Sequence, residues 1–303
     1  MKNIYKRLDI FKCVHEAHKG FASRMSVHHI VNHKKCFPNG CYYFKGSCKL
    51  FGQGKACYRG YNHIGKNCSG CRYFDDQQIF NRPELQVNDK EYADFKMELA
   101  EFEDWLEERL HREHEIHGTV DGVKPLFHKK VYSNGEGFAF SGFLLIFRQL
   151  FFGMDVMEDH VYARLSPKTY QLLKLGRGDV LSARATLTVD RGRLVLKKLK
   201  RIDIEQRGEP PQWDASKALV ARETATLQEN QPEGCIQCPF GALIDVEDTR
   251  YSEMKTYRQL YCLNGIPDYR DCYLYPSYAD RSEKSSKLPS NSASCMTRKV
   301  NVT

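Results

Sequence analysis

The sequence predicts an α+β protein: a small five-stranded barrel with a long packed helix and two cysteine-rich, metal-stabilised modules. Residues 118–207 are the only region with a run of clear strand signals. Ten of the 12 cysteines fall into two groups, one before and one after that region. We therefore divide the 303 residues into five segments. They are a basic segment with the first cysteine cluster (1–82), an amphipathic helix (83–117), the barrel (118–207), a module with the second cluster (208–278) and a disordered tail (279–303).

Strands are indicated by β-branched and aromatic residues and by alternation of apolar and polar positions. The alternation is clearest in Val180–Val189, where apolar residues occupy every second position. Pro125 has no N–H, so we expect it to end the first strand. Ser166 and Pro167 predict the N-cap and first position of a short helix. The expected strands are Thr119–Val123, Phe138–Gln149, His160–Leu165, Val180–Val189 and Leu194–Ile204.

This order of three strands, a short helix and two strands resembles the OB-fold over the middle third of the chain. The resemblance rests on element order and not on a motif. It implies that a ligand binds the face of strands two and three, between the loops joining strands one–two and four–five. Phe140, Phe143 and Phe147 would either stack on bases or fill the barrel, and large apolar residues are usually buried. The candidate nucleic-acid contacts are Lys129, Lys130, Tyr162, Arg164, Arg191 and Arg193.

The net charge of +8 is unevenly distributed. Residues 1–82 hold 15 basic and 4 acidic side chains, a net +11, and residues 118–207 hold 16 and 9, a net +7. The helical segment 83–117 holds 4 and 12, a net −8. Two neighbouring basic segments attract polyanions, which favours a nucleic-acid partner over a solvated basic surface that binds nothing.

The first cysteine cluster lies in a segment too poor in apolar residues to form its own core, so thiolates around a metal are expected to hold it together. Cys57, Cys68 and Cys71 are the strongest candidates, because a C-x2-C spacing lets two sulfurs face one ion. Six cysteines exceed one four-ligand site. Two are therefore spare, or a second site borrows a residue such as His33 or His63, or a ligand comes from elsewhere. The six predicted ligands are Cys36, Cys41, Cys48, Cys57, Cys68 and Cys71.

The second cluster contains one C-x2-C pair, a gap of 23 residues and a C-x9-C pair. Zinc ribbons usually have two close pairs, whereas a 4Fe–4S cluster accepts irregular spacing and a proline after a ligating cysteine. We therefore expect a 4Fe–4S cluster here, with zinc as the alternative. The predicted ligands are Cys235, Cys238, Cys262 and Cys272.

The two clusters share short patterns that suggest a degenerate repeat or a coincidence. Each contains a C-x-x-G, at Cys57–Gly60 and at Cys262–Gly265. Each also contains a C-x2-C pair followed by an aromatic residue. Cys13 and Cys295 lie outside both clusters, and the sequence gives them no role.

Segment 83–117 is predicted to be one helix that begins at Asn88 as N-cap, with Glu91 three residues later. Its apolar stripe consists of Tyr92, Phe95, Leu99, Phe102, Leu106 and Leu110. Residues 1–32 carry four closely spaced histidines, which would bind a metal or lie on a solvated basic helix that contacts phosphate. These are His15, His18, His28 and His29.

No catalytic motif was found for nucleotide hydrolysis, dinucleotide binding, zinc proteolysis, serine hydrolysis or zinc deamination. No apolar run is long enough to span a bilayer, and the N-terminal residues lack a secretion signal, so we expect a cytoplasmic location. The expected function is metal-containing binding of single-stranded DNA or RNA. Two alternatives remain open: an iron–sulfur electron-transfer protein or redox enzyme subunit whose basic face docks an acidic partner, and a zinc-stabilised adaptor.

Overall fold

The computed structural model describes residues 1–16, 18, 23–229, 231–250 and 254–278. It is a mixed, strand-rich α/β structure with two compact units. The first unit comprises Met1–Val123 and Gly142–Gln212, and the second comprises Lys124–Ser141 and the chain from Trp213 onwards. The predicted tail, 279–303, lies outside the described residues.

The elements before residue 113 are short except for one helix. They are β1 (Phe11–Lys12), β2 (Cys41–Cys48), α1 (Lys49–Gly52), β3 (Phe74–Asn81), β4 (Glu84–Leu85) and α2 (Asp89–Arg109). Single-turn 3₁₀ helices occur at Ile4–Lys6 and Lys66–Cys68, and a π-helix spans His28–His33.

The middle of the chain contains β5 (Glu113–Tyr132), β6 (Gly135–Phe152), β7 (Asp155–Met157), β8 (Val161–Leu165), α3 (Pro167–Leu173), β9 (Val180–Asp190) and β10 (Arg193–Gln206). The C-terminal part contains α4 (Ala215–Thr224), β11 (Thr226–Leu227), α5 (Glu233–Gln237), β12 (Gly241–Asp248), β13 (Lys255–Cys262) and a 3₁₀ turn at Tyr269–Asp271. No described helix has the length and apolar character needed to span a bilayer.

Helix α2 begins as predicted, because Asn88 and Glu91 form a capping box in which each side chain accepts a backbone N–H of the other. Its apolar stripe buries Phe95, Phe102 and Leu106, together with Trp105. The predicted extent to residue 117 is wrong. The helix ends at Arg109, since His111 adopts a left-handed φ of 63° and the following residues pair with β9 as the start of β5.

All five predicted strands are present in the predicted order, as β5, β6, β8, β9 and β10. In the first unit, β5 pairs with β9, β9 with β10 and β6 with β8, all antiparallel, while β10 and β8 are parallel. Strand β6 also pairs with β5 and with β7. The alternation predicted for β9 is observed, because Leu181, Ala183, Ala185 and Leu187 are all buried.

The short helix between the third and fourth strands is also as predicted. The Ser166 hydroxyl accepts the backbone N–H of Thr169, and Pro167 occupies the first turn. Helix α3 places Tyr170 on Phe143, with ring centroids 3.8 Å apart. Phe143 and Phe147 are fully buried, so both fill the interior and neither is available to stack on a base.

Pro125 does not end the first strand, and this prediction is wrong. The pairing of β5 with β9 ends at Thr119, and its parallel pairing with β12 begins at His128. Pro125 lies between these two ladders, where its missing N–H removes a bond from neither. Lys129 and Lys130, expected in a loop, are consequently strand residues that pair with β12.

In the second unit, β12 lies between the second half of β5 and β13, and β11 pairs with the other edge of β13. The side chains of Phe127, Ile244, Val246 and Leu260 form its buried interior. This small sheet fixes one end of the second cysteine cluster, because Cys262 is the last residue of β13 and lies opposite Gly241.

Candidate metal centres and nucleic-acid surface

Four of the six N-terminal cysteines line one cavity of about 20 Å³, and His63 is part of the same lining. The four are Cys48, Cys57, Cys68 and Cys71. Cys48 is placed there because β2 ends at this residue, while Cys68 and Cys71 lie in consecutive turns of the loop before β3. The structure therefore gathers the three cysteines that sequence spacing favoured, and it adds Cys48.

Several of these sulfurs accept hydrogen bonds, as thiolates do in metal sites. The backbone N–H of Gly65 points at Cys68 Sγ, 3.5 Å away, and the Tyr58 hydroxyl lies 3.7 Å from Cys71 Sγ. A backbone N–H bond from Tyr73, followed by the Tyr58 hydroxyl, lowers the pKa of the half-buried Cys71 thiol. The contacts at Cys71 favour its deprotonated sulfur, which is the form that binds metal.

Cys36 and Cys41 do not line this cavity. Cys41 and Cys48 occupy opposite ends of β2, paired with Asn81 and Phe74 respectively, so about 24 Å of strand separates them. Cys36 and Cys41 instead lie near Cys13, which is fully buried and whose Sγ accepts a hydrogen bond from Asn81 Nδ2 at 3.2 Å. Burial, then the neighbouring Cys41, raises the pKa of Cys36 to about 11. The structure thus divides the six cysteines into a group of four around the cavity and a pair, Cys36 and Cys41, near Cys13.

All four cysteines of the second cluster are electrostatic neighbours in the second unit. Burial, then Cys238, Cys262 and Cys272, raises the pKa of the Cys235 thiol to about 12. Burial also raises the pKa of Cys238, although the backbone N–H of Phe240 donates to its sulfur and acts in the opposite direction. The four sulfurs therefore lie close to one another, and burial favours the neutral thiol form of Cys235 and Cys238.

Lys124 is a residue of this site that the sequence analysis missed. It is buried, and its ammonium group donates to the carbonyl oxygens of Ile236 and Gly241 at 2.6 and 2.9 Å. These two carbonyls belong to the turn that carries Cys235 and Cys238. The lysine charge lowers the pKa of both thiols and so opposes the effect of burial. The feature of the sequence that could have identified Lys124 is a lysine within a stretch of strand that is otherwise largely apolar.

The short patterns shared by the two clusters have the same backbone geometry. Gly60 N–H donates to Cys57 O and Gly265 N–H to Cys262 O, and the two glycines have φ of 76° and 75°. The second cysteine of each C-x2-C pair accepts, at its carbonyl, the N–H of the residue three positions later. The same cysteine accepts a backbone N–H at its sulfur from the residue two positions later. The two clusters therefore resemble each other in backbone structure as well as in sequence.

Within the described ranges, no three His, Cys, Asp or Glu side chains already surround one point as metal ligands. The thiols of each group are close neighbours, but their side chains would have to rotate to share an ion. The donor set nevertheless fits a soft-ligand metal, because sets of four cysteine sulfurs are what zinc and iron–sulfur centres use, and Cys68, Cys71 and Cys238 also accept backbone N–H bonds.

In the first unit, strands β8 and β10 carry most of the predicted aromatic and basic side chains. The Arg193 guanidinium lies over the Tyr162 ring, 5.1 Å from its centroid. Arg164 forms an ion pair with Asp190 at 2.8 Å, and Arg191 is exposed at the β9–β10 turn. The structure brings Tyr162, Arg164, Arg191 and Arg193 to one region of the surface.

The turn that carries Arg191 packs against N-terminal residues. Asn3 Nδ2 donates to Gly192 O at 3.0 Å, and a Cβ on Gly192 would lie 2.8 Å from His28 Cβ. Gly192 also has φ of 78°, so a larger residue there would be strained as well as crowded. The loop between the fourth and fifth strands is therefore fixed in position.

Lys129 and Lys130 lie in the second unit and are both engaged in ion pairs. Lys129 contacts Glu136 at 2.8 Å and donates to the Tyr261 hydroxyl at 3.0 Å, with little of its side chain exposed. Lys130 contacts Glu247 at 3.2 Å. We therefore expect Lys129 to contribute less to polyanion binding than the exposed Arg191.

A second aromatic surface lies on the β2–β3 hairpin and was not singled out from the sequence. Tyr42 and Phe44 lie two residues apart on one face of β2, and Tyr42 lies directly opposite Phe80 with ring centroids 5.2 Å apart. The three side chains are 63%, 67% and 53% exposed. Such exposure is unusual for large aromatic residues and indicates an interaction surface. We call Tyr42, Phe44 and Phe80 the hairpin aromatics.

No protein family matches the sequence. No curated protein is similar to it. Two crystal structures of the mitochondrial single-stranded DNA binding protein Rim1 from S. cerevisiae, one of them selenomethionine-labelled, are similar to 33% of this chain and 98% of theirs. The sequence identity is 13% and the TM-score 0.21 in both cases.

Proposed function

We propose that this protein binds single-stranded DNA or RNA on an OB-type barrel, and that metal ions bound by its cysteine groups stabilise the segments beside the barrel. The observation that carries the proposal is the ring of strand pairings: β5 with β9, β9 with β10, β10 with β8, β8 with β6 and β6 with β5. Such a ring supports a closed five-stranded barrel, and a small barrel of this type binds oligonucleotides on its second and third strands.

The side chains on and beside the third strand have the chemistry that a single strand requires. Arg193 lies over Tyr162, so the pair offers a cation and an aromatic ring on which a base can stack, and Arg191 on the β9–β10 turn provides an exposed charge for phosphate. The ion pair between Arg164 and Asp190 is partly exposed, so a phosphate can compete for the guanidinium at low cost. The net charge of +7 on residues 118–207 favours the approach of a polyanion.

The hairpin aromatics provide a second region for base stacking in the first unit. They lie in the segment with the highest positive charge, +11 over residues 1–82. Stacking on exposed aromatic rings is tolerant of sequence, because every base has a π-face. We therefore propose binding with little base specificity.

The metal content that we propose follows from the donor groups. Cys48, Cys57, Cys68 and Cys71 line one cavity and provide four thiols for a zinc ion or an iron–sulfur cluster. Cys235, Cys238, Cys262 and Cys272 provide four thiols for either a 4Fe–4S cluster or zinc. Elemental analysis and a visible spectrum of anaerobically purified protein distinguish the two metals.

The proposal is tested by titrating a fluorescently labelled single-stranded oligonucleotide with the full chain at several salt concentrations. We expect binding that weakens steeply with salt, since phosphate contacts release counterions. Arg191→Ala and Arg193→Ala are expected to weaken it, whereas Arg270→Ala, an exposed arginine of the second unit paired with Asp268, serves as the matched control. No binding at low salt would refute the proposal.

A further inference from the structure

A histidine cluster in the first unit involves none of the eight cysteines proposed to bind metal, and Cys36 N–H donates to Ile30 O within its π-helix. It is formed by the π-helix and the segment before it, and its members are His15, His18, His28, His29 and His33. The sequence alone favoured a solvated basic helix that contacts phosphate. The structure differs, because His18 is only 8% exposed and His29 is half-buried.

The closest contact in the cluster joins two ring nitrogens. His18 Nε2 and His29 Nε2 are 3.1 Å apart, and the two rings are nearly perpendicular at 83°. When no metal is bound, the N–H of one Nε2 donates a hydrogen bond to the other Nε2. The same separation is also suitable for two imidazoles that bind one ion, since each Zn–N bond is about 2.0–2.1 Å long.

A purely structural role leaves this arrangement unsatisfied. His18 Nδ1 is buried without a hydrogen-bond partner, so one polar atom of the ring pays a desolvation cost whichever tautomer is present. A metal ion bound at the Nε2 atoms would draw on the neutral imidazole form, as metal-bound histidines do.

Further imidazoles lie within reach of this pair. The His15 ring centroid is 5.1 Å from that of His18, and the His33 centroid is 5.7 Å from that of His29. The π-helix explains the second of these relationships, because its wider turn places residues four and five positions apart on one side. The ring of His28 accordingly stacks on that of His33 at 6.5 Å. Local π-helical turns are rare and occur frequently at functional sites.

From this geometry we infer that His18 and His29 bind a divalent transition-metal ion through their Nε2 atoms, with His33 or His15 as third ligand. Imidazole donors suit Zn²⁺, Ni²⁺ and Cu²⁺. Before the metal binds, one of the two Nε2 atoms carries the proton of their hydrogen bond. When both Nε2 atoms bind the metal, that ring carries this proton on its Nδ1 instead. Because no three ligand atoms in the described part of the chain already surround one point, the third ring must rotate. His33 is exposed and has the space to do so.

The test uses Co²⁺ added to the purified full chain with its cysteine centres intact. Cobalt bound by imidazoles gives weak visible bands without the strong near-ultraviolet sulfur-to-cobalt absorption that thiolates produce. We expect one cobalt equivalent of this kind. It is expected to be lost in the double variant His18→Gln/His29→Gln and kept in His111→Asn, a histidine outside the cluster at a position with φ of 63° that asparagine tolerates.

The variant His33→Gln addresses a possible folding defect of the double variant, because it changes an exposed side chain. We expect it to weaken cobalt binding by at least about tenfold if His33 is the third ligand. If it does not, His15→Gln is expected to produce that loss. The inference is overturned if the wild-type chain binds no imidazole-type cobalt, if a folded double variant binds it unchanged, or if both single variants bind as the wild type does.

Discussion

Lys124 Nζ lies 2.6 Å from the carbonyl oxygen of Ile236, the residue that follows Cys235. A second bond to Gly241 O ties the same ammonium group to the other end of the cysteine turn. A buried cation in contact with this turn stabilises negative charge on the thiolates around it. The second cysteine group thus contains its own counter-charge, supplied by β5 within the same unit.

Replacing Lys124 by methionine is therefore expected to weaken metal retention by the second cysteine group. The methionine keeps most of the apolar stem but removes both hydrogen bonds and the charge. We expect the metal to be lost to a chelator at least about tenfold faster, as is common when a group next to metal ligands is removed. Release is followed by a colorimetric metal indicator. Lys197→Met, an exposed strand lysine, is the control, and equal release rates in the two variants would contradict the role of Lys124.

The division of the N-terminal cysteines gives a second prediction. Cys57→Ser is expected to reduce the metal content by one equivalent, because Cys57 lines the four-cysteine cavity. Cys41→Ser is expected to leave that equivalent bound, since Cys41 lies at the other end of β2. Both side chains are half-buried, so the pair is well matched. Elemental analysis checks the counts, and loss of the same metal in both variants would show that the cysteines act as one group.

Local signals predicted the elements whose cause is local. The capping box at Asn88, the N-cap at Ser166 and the alternation in β9 depend on residues a few positions apart, and all three are observed. The helix end was misplaced, because the left-handed turn at His111 and the pairing of the next residues with β9 depend on a strand some 70 residues further along the chain.

The sorting of the cysteines and the role of Lys124 depend on long-range pairing. The β2–β3 register places Cys41 and Cys48 at opposite ends of one hairpin, and cysteine spacing contains no information about that register. Likewise, β5 passes from one unit to the other near Pro125, so a proline that looks like a strand end lies between two ladders. These features follow from the arrangement of distant strands.

The hairpin aromatics give a prediction for nucleic-acid binding. Phe44→Ala is expected to weaken binding of a single-stranded oligonucleotide about tenfold, because loss of one stacked base costs about 1–3 kcal/mol. Phe44 is 67% exposed, so the change should leave the stability of the fold nearly unaltered. Fluorescence anisotropy measures the affinity. Tyr132→Ala, an exposed aromatic outside the hairpin, is the control, and equal affinities for both variants would exclude stacking on Phe44.

Asp179 gives a prediction about stability. Its buried carboxylate accepts the backbone N–H groups of Gly176 and Gly208 at 2.9 and 2.7 Å. Asp179→Ala leaves both donors without this acceptor, and we expect a loss of about 3 kcal/mol in the free energy of unfolding. Denaturant unfolding of the full chain measures it. Asp104→Ala, at an exposed position of α2, should change stability by less than about 0.5 kcal/mol; similar losses in the two variants would disprove the role assigned to Asp179.

Asp121 gives a prediction about pH. Its carboxylate lies 3.6 Å from His160 Nε2 and 3.8 Å from Arg177 Nη2, and these neighbours, His160 foremost, lower the pKa of Asp121 against the opposing effect of burial. A carboxyl whose folded pKa is depressed adds stability above its unfolded pKa of about 3.9, and that stability is lost as the pH falls through the folded value. The group is partly exposed, so screening limits the gain to about 0.5 kcal/mol. We expect Asp121→Asn to cost this amount at pH 7 and nearly nothing at pH 3, as measured by denaturant unfolding at both pH values. A cost that is equal at the two pH values, or that also occurs in the exposed control Asp203→Asn, would show that the ionised carboxylate is not its source.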